Sequence, residues 1–265
     1  MINKEQIFSF YPPYLRENPA HRKYLIKEYI LLLILDYLST SKYIQKIAFI
    51  GGTNLRLVKG IDRFSEDLDF DCKNLSLDEF ITMTDSVLLF LQRYGINAVI
   101  KDKNQANLKA YRRNIYFPEF LFDLNLSGHR EERFHIKIEA EDQNYQYDSK
   151  LATIQACGFF FGIPVPPDEV LCAMKISALL NRSKGRDFYD VIFLLGQTLP
   201  DFGFLQQKLG IKNMSELKDA LEKYLTKVDL NHKVKDFEHL LFEKRNAKKI
   251  LLFPEMVKSL IELDS

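Results

Sequence analysis

The chain has 265 residues, 46% of them hydrophobic, which is enough apolar material to bury a sizeable core in one large domain or two modest ones. Its 37 Lys and Arg nearly cancel 36 Asp and Glu, leaving a net charge of +1, so no global charge marks it as a nucleic-acid binder and only local basic patches remain open. Three widely spaced cysteines, Cys72, Cys157 and Cys172, and five scattered histidines build neither a disulfide framework nor a zinc site, and the expectation is a reducing, cytoplasmic compartment.

The opening "MINKEQIFSFYPPYL" has neither a basic start followed by an apolar core nor a small-residue cleavage site, so no leader is expected. Pro12 and Pro13 open a loop. His21 to Leu38 then carries apolar residues at Leu25, Tyr29, Leu32 and Leu33, a helical spacing. Its apolar run from Tyr29 to Leu35 is bounded by Glu28 and Asp36 and falls far short of the roughly 20 residues of a membrane span, so no membrane is expected as a partner. "KIAFI", Lys46 to Ile50, reads as a short strand; Gly51-Gly52-Thr53 breaks it, and a brief helix follows up to Gly60. Ser65 to Asp71 alternates Asp67, Asp69 and Asp71 with Leu68 and Phe70, a period of two that gives a strand with one acidic face. Leu77 to Tyr94 is a crossover helix. Ala98 to Lys101, Leu108 to Phe117, Phe120 to Leu126 and Phe134 to Ala140 read as strands, and "GFFFG", Gly158 to Gly162, as an apolar strand rather than a base-stacking platform.

A second region opens near "GIPVPPDEV", where Pro164, Pro166 and Pro167 suit neither strand nor helix interiors and Pro167-Asp168 suits a helix entry. Helical patterns follow over Asp168 to Arg182, Asp187 to Leu195, Phe202 to Leu209, Ser215 to Leu225, the basic stretch "FEKRNAKKILLF" and Glu255 to Leu263. The expected organisation is an α/β domain with its N-terminal helix over 1–167 and a helical domain over 168–265. No internal repeat and no low-complexity tract interrupts it.

The stretch "IGGTNLRLVKGIDRFSEDLDFDC" carries the chemistry. A turn of two glycines lets backbone N–H groups approach an anion, and the helix N-terminus behind it bears roughly half a positive charge, so Gly51, Gly52 and Thr53 suit phosphate. Asp67 and Asp69, at i and i+2, point to the same side, where close carboxylates repel. A divalent cation such as Mg²⁺, which takes oxygen ligands from one or two carboxylates plus substrate phosphates, removes that cost. A metal-bound nucleoside triphosphate would satisfy both halves of the stretch.

"GGTNLRLVKGIDRFSEDLDF" resembles the signature of the nucleotidyltransferase AbiEii/AbiGii toxin family, a branch of the DNA polymerase β-like nucleotidyltransferase superfamily. "KISALLNRSKGRDFYDV", Lys175 to Val191, resembles the family's downstream motif of a helical Lys, an Arg seven residues on and an Arg-Asp-x-x-Asp. The resemblance implies an α+β fold, a polymerase β-like mixed sheet with helices followed by a C-terminal helical domain. From Leu199 onward the chain matches only in being helical.

Residue by residue, the resemblance implies that Gly52 and Thr53 hold triphosphate oxygens and that Asp67 and Asp69 ligate Mg²⁺. The third carboxylate of the superfamily sits on a later strand. "HIKIEA" offers Glu139, with Lys137 on the same face, and "FLFDLNL" offers Asp123. Glu139 is favoured because its strand comes last before the domain boundary. Asp71 shares the face of the pair but falls outside D-x-D and is expected either behind the metal ligands or at the rim. Lys175 would reach the phosphates across the cleft between the domains, with Arg182 on the same helical face and Asp187 orienting Lys175 or assisting the nucleophile. Without the resemblance, Lys175 and Arg182 read as a solvated face and Asp187 and Asp190 as caps. Arg63 is either a structural ion pair with Glu66 or a substrate contact.

Nucleotidyl transfer proceeds by in-line attack on the α-phosphorus with loss of pyrophosphate, and two Mg²⁺ ions, one at the attacking hydroxyl and one on the triphosphate, would neutralise the charge. The function the resemblance implies is that of a nucleotidyltransferase toxin that carries a nucleotide from a nucleoside triphosphate to RNA, at the tRNA acceptor end, and is neutralised by an antitoxin encoded nearby. Two other functions stand beside it: transfer to a small molecule or protein hydroxyl, and a nucleotide-binding interaction module in a defence complex. Basic residues around Lys184 and Arg186 are the expected RNA contacts; "EKRNAKK", Glu243 to Lys249, reads more simply as a solvated helix face.

Overall fold

The computed structural model describes residues 2–102 and 110–260 and divides the chain into two compact units. The first comprises Met1–Gly60 and Phe64–Val165, the second Ile61–Arg63 and everything from Pro166.

In the first unit, short helices α1 (Lys4–Ser9) and α2 (Pro13–Arg16) precede the long α3 (Arg22–Ser39). Helix α3 is buried on nearly every side: Leu25, Ile26, Ile30, Leu31, Leu32, Ile34, Leu35 and Leu38 are all fully enclosed. Two of its charged residues, Lys27 and Glu28, are buried with partners, Lys27 on Glu66 at 2.9 Å and Glu28 on Arg56 at 2.7 and 3.1 Å. Burial of such groups is tolerable only when they are so paired. Strand β1 (Ile47–Ile50) runs directly into α4 (Gly51–Leu57), then come β2 (Leu68–Cys72) and α5 (Leu77–Arg93), which starts with a capping box between Ser76 and Glu79. β3 (Val99–Ile100), β4 (Tyr111–Tyr116), α6 (Phe120–Asp123) and β5 (His135–Glu141) follow.

Five strands form one mixed sheet in the order β1-β2-β5-β4-β3, with β2 and β5 parallel and the other neighbours antiparallel. The period of two in the sequence becomes two faces. Leu68 and Phe70 of β2 and Ile136, Ile138 and Ala140 of β5 are buried on the core side, while Asp69, Lys137 and Glu139 are half-buried on the other. A separate hairpin, β6 (Lys150–Ala156) and β7 (Phe159–Val165), packs on α3 and β1.

The second unit is helical: α7 (Asp168–Arg182), α8 (Gly185–Leu195), α9 (Phe202–Leu209), α10 (Met214–Leu225), α11 (Leu230–Phe237), a 3-10 stretch Lys244–Leu252 and α12 (Phe253–Ser259). Leu171, Cys172, Ile176, Phe188, Val191, Phe204 and Phe253 fill its core. The N-terminus of α8 sits on α11. Gly185 donates its N–H to both oxygens of Asp236 at 3.1 and 3.0 Å, and a Cβ there would stand 2.1 Å from the Lys233 carbonyl.

Several elements differ from the sequence reading. Phe120 to Leu126, read as a strand, contains the short helix α6: Glu119 turns the chain in a left-handed conformation, and Phe120 packs against Phe117 and Phe134 with ring centroids 5.5 and 5.1 Å apart. An apolar run this short fits either a strand or a helical turn buried on two sides. Asp123, the competitor for the third carboxylate, therefore sits on a helix and not on the sheet. Strand β6 and helix α11 had no distinct signal. Pro164 lies inside β7, opposite Leu151, which a two-stranded hairpin tolerates because a strand without a second neighbour needs fewer ladder donors. The acidic strand begins at Leu68, leaving Asp67 just before it. Of the strand expected from Leu108 and the helix expected up to Leu263, the parts at 108–109 and 261–263 lie outside the described residues.

Candidate active site

The sheet brings the acidic stretch and "HIKIEA" together. Asp69 is in register with Ile50 of β1 on one side and with Glu139 of β5 on the other, and Arg112 of β4 is in register with Glu139. Residues paired across neighbouring strands share a face, so Asp69, Glu139 and Arg112 stand in one row.

The Gly-Gly turn is built around this row. Gly51 has φ of +81°, and a Cβ placed on it would meet Asp69 Oδ2 at 2.2 Å, so the turn and the carboxylate fit only because the residue is glycine. Asn54 ties the turn back by donating from Nδ2 to the Phe49 carbonyl at 2.7 Å. Thr53 is 1% exposed and donates its hydroxyl to the carbonyl of Asp67. The hydroxyl expected to face a triphosphate instead fixes the backbone of the acidic segment. Gly52 is buried beside it.

Charge on the row is shared out in detail. Lys137 Nζ lies 3.2 Å from Asp67 Oδ2 and 2.6 Å from Glu139 Oε2, and Arg112 binds Glu139 Oε1. Burial alone would raise the Glu139 carboxyl, but Lys137 and Arg112 outweigh it and hold the group below its ordinary value. Burial likewise works against the Lys137 ammonium, and Asp67 and Glu139 overcome it, leaving its pKa raised. Glu139 was expected as a third metal ligand. It does join Asp67 and Asp69, but both its oxygens are engaged by cations, and among the described residues no group of three or more His, Cys, Asp and Glu is arranged to hold a metal ion. Asp71, expected either behind the metal ligands or at the rim, is not at the rim: it is 2% exposed and accepts hydrogen bonds from the Gln143 N–H at 2.9 Å and the Tyr147 hydroxyl. Burial pushes its carboxyl up despite these bonds, and its role is to anchor the chain that follows β5.

In the second unit, Lys175 on α7 is 5% exposed and donates to Asp190 Oδ2 at 2.9 Å. Arg63 donates to both oxygens of the same carboxylate, from Nε and Nη2, each at 2.7 Å. Asp190 is fully buried; desolvation would raise its pKa, yet the Arg63 guanidinium and the Lys175 ammonium bring it down to about 2. Lys175 is thus no solvated face, and Asp190 rather than Asp187 orients it. Asp187, 0% exposed, accepts two bonds from Arg182 at 2.9 and 2.7 Å and one from the Lys184 N–H at 3.2 Å. It caps α8 and holds Arg182. Arg63, read as a substrate contact or a partner of Glu66, is 1% exposed and engages Asp190, while Glu66 accepts from Lys27. Sequence reasoning missed Arg112, whose partner is chosen by strand register, and gave Asp190 only a capping role. Of the basic stretch, Arg245 is 82% exposed and Lys249 lies 3.9 Å from Asp62.

Among the described residues no helix is long and apolar enough to cross a membrane. No curated protein matches the chain. Among solved structures, MenT4, a nucleotidyltransferase toxin from Mycobacterium tuberculosis, superposes with a TM-score of 0.57 at 14% identity, covering 97% of this chain and 99% of that one. JHP933 from Helicobacter pylori superposes with a TM-score of 0.54 at 18% identity, covering 91% and 94%. At these identities the likeness concerns the fold. The profile described as "Nucleotidyl transferase AbiEii toxin, Type IV TA system" matches residues 33–263, nearly the whole chain. A Gly-Gly turn wrapped on an acidic strand of a mixed sheet, in a chain matched over that length, leads to one conclusion: the protein belongs to the AbiEii family of nucleotidyltransferase toxins of type IV toxin–antitoxin systems.

Proposed function

We propose that this nucleotidyltransferase transfers a nucleotide from a nucleoside triphosphate to RNA, with Asp67 and Asp69 holding Mg²⁺ on the sheet face. The observation that carries the reading is the seating of Asp69 against Gly51, which joins an anion-suited turn to a hard oxygen donor in one small space. The donor set is carboxylate oxygen, the kind Mg²⁺ prefers, and the Lys137 ammonium already bonded to Asp67 marks the place as one that takes positive charge. When bound, Mg²⁺ would supply Lewis-acid stabilisation of charge on the phosphates.

The chain's own residues do the remaining work. Asp67 and Asp69 are fixed in place, the first through its carbonyl by Thr53 and the second by the sheet register. Gly51 and Gly52 at the start of α4 present backbone to the triphosphate. Lys175 is assigned to the triphosphate by the resemblance of its motif, with Asp190, itself fixed by Arg63, holding its ammonium in position. Arg182, 44% exposed and held by Asp187, adds positive charge for the nucleotide. Attack of an RNA hydroxyl on the α-phosphorus, with pyrophosphate leaving, completes transfer. The two-metal arrangement would require Glu139 as a third ligand, and its two bound cations support a smaller role for it. Family membership implies an antitoxin partner, which we expect to be encoded beside the toxin.

Incubation with each labelled nucleoside triphosphate, Mg²⁺ and total cellular RNA tests the proposal. Label on RNA, falling steeply with salt as phosphate counterions are released, is the expected result. Label on protein or on small molecules alone would overturn the RNA acceptor.

A further inference from the structure

We infer that Lys137 is a tethered cation of the acidic face: its ammonium bridges Asp67 and Glu139, keeps Glu139 from ligating metal, and leaves a place for a single divalent cation on Asp67 and Asp69. The inference rests on the reading that Asp67 and Asp69 are the metal-holding pair.

Three observations carry it. Lys137 and Glu139 are i and i+2 on β5, so the strand itself places ammonium and carboxylate on the same side, and the 2.6 Å bond between them needs no rearrangement of the backbone. The parallel register of β2 and β5 aligns Leu68 with Ile138 and Asp69 with Glu139, so Asp67 falls beside Lys137, and the 3.2 Å contact follows. Arg112, aligned with Glu139 from the other neighbour, takes that carboxylate's second oxygen. Glu139 is therefore held between two cations on elements the sheet makes rigid, with its side chain 17% exposed. A divalent ion that used Glu139 would have to displace a charge-assisted hydrogen bond on either oxygen. Asp69 stands on the same face, in register with Glu139 and packed on Gly51.

Lys137 and Arg112 between them occupy both oxygens of Glu139, so a second cation would find no third carboxylate to share. Lys137 is then a positioning residue, supplying the fixed positive charge that a second metal would otherwise provide.

Mn²⁺ titration of the full chain by calorimetry and by electron paramagnetic resonance tests this without relying on turnover. The expected results are one Mn²⁺ per wild-type chain, at least tenfold weaker binding in Asp69→Asn, binding within threefold of wild type in Glu139→Gln, and at least fivefold tighter binding in Lys137→Met. Lys137→Arg, which keeps the charge, should stay within threefold of wild type, and circular-dichroism melts identify any variant that fails to fold. If Lys137→Met is unfolded, the Glu139→Gln and Lys137→Arg results decide alone. Two Mn²⁺ per wild-type chain, a tenfold loss in Glu139→Gln, or weaker binding in folded Lys137→Met would overturn the inference while leaving Asp67 and Asp69 as ligands. Unchanged binding in Asp69→Asn would overturn the reading beneath it as well.

Discussion

Gly51 and Asp69 occupy one small space: a methyl group on Gly51 would stand 2.2 Å from Asp69 Oδ2 and 2.7 Å from its Cβ. Since Gly51 also has φ of +81°, Gly51→Ala meets both a left-handed backbone and a clash with a side chain on a central strand. The backbone part alone should cost roughly 1–3 kcal/mol. Urea unfolding should show that loss, and transfer activity should fall with it. An alanine variant with wild-type stability would mean that the turn is not seated on the carboxylate.

Asp69→Asn and Asp67→Asn should each lower transfer by roughly 10²–10³-fold, the scale seen when one preorganised electrostatic group is removed. Their stabilities should differ little from wild type. Asp67→Asn gives up a pairing with Lys137 in which each side chain is 25% exposed, a contribution of about 1 kcal/mol. Single-turnover assays beside thermal melts separate the two effects, and full activity in either variant would remove it from the site.

The buried network of the second unit predicts an order of variants. Asp190→Asn leaves both Arg63 and Lys175 enclosed beside a neutral amide and should destabilise by about 3–5 kcal/mol. Lys175→Met should cost less, because Asp190 keeps its two bonds from Arg63, yet transfer should drop at least tenfold, about 1.4 kcal/mol in transition-state terms. Equal destabilisation by the two would show that Arg63 alone does not satisfy Asp190.

Acid stability should also report on Asp190. Its carboxyl lies at about 2 in the folded protein against an ordinary value of 3.8, so the folded state favours the ionised form. A depressed carboxylate contributes stability that is complete above its unfolded value and is lost as pH falls through the folded one. The melting temperature should therefore decline between pH 4 and pH 2, and this component of the decline should be missing in Asp190→Asn.

Which parts of this were legible beforehand follows the range of the interactions involved. Asp67, Asp69 and the turn at Gly51 were legible because their relation is local: alternation along one strand and a glycine pair a few residues upstream. Helix α7 was read to the residue because Pro167 sets its start and Ser183, in a left-handed conformation, ends it. Phe120 to Leu126 was misread because an apolar run of that length carries no period that separates a strand from a buried helical turn.

The roles of Arg63, Arg112 and Asp190 were set elsewhere. Arg112 meets Glu139 across 27 positions, and Arg63 meets Asp190 across 127, through strand register and helix packing that no local pattern encodes. The sequence by itself determined the residue types of the site, the alternation that gives β2 an acidic face and the helical character of the second unit, since these depend on near neighbours and backbone periodicity. Only the tertiary structure decided which cation each carboxylate receives, giving Lys137 to Asp67 and Glu139, and Lys175 to Asp190 rather than Asp187, because ion pairing depends on distances that exist only once the chain is packed.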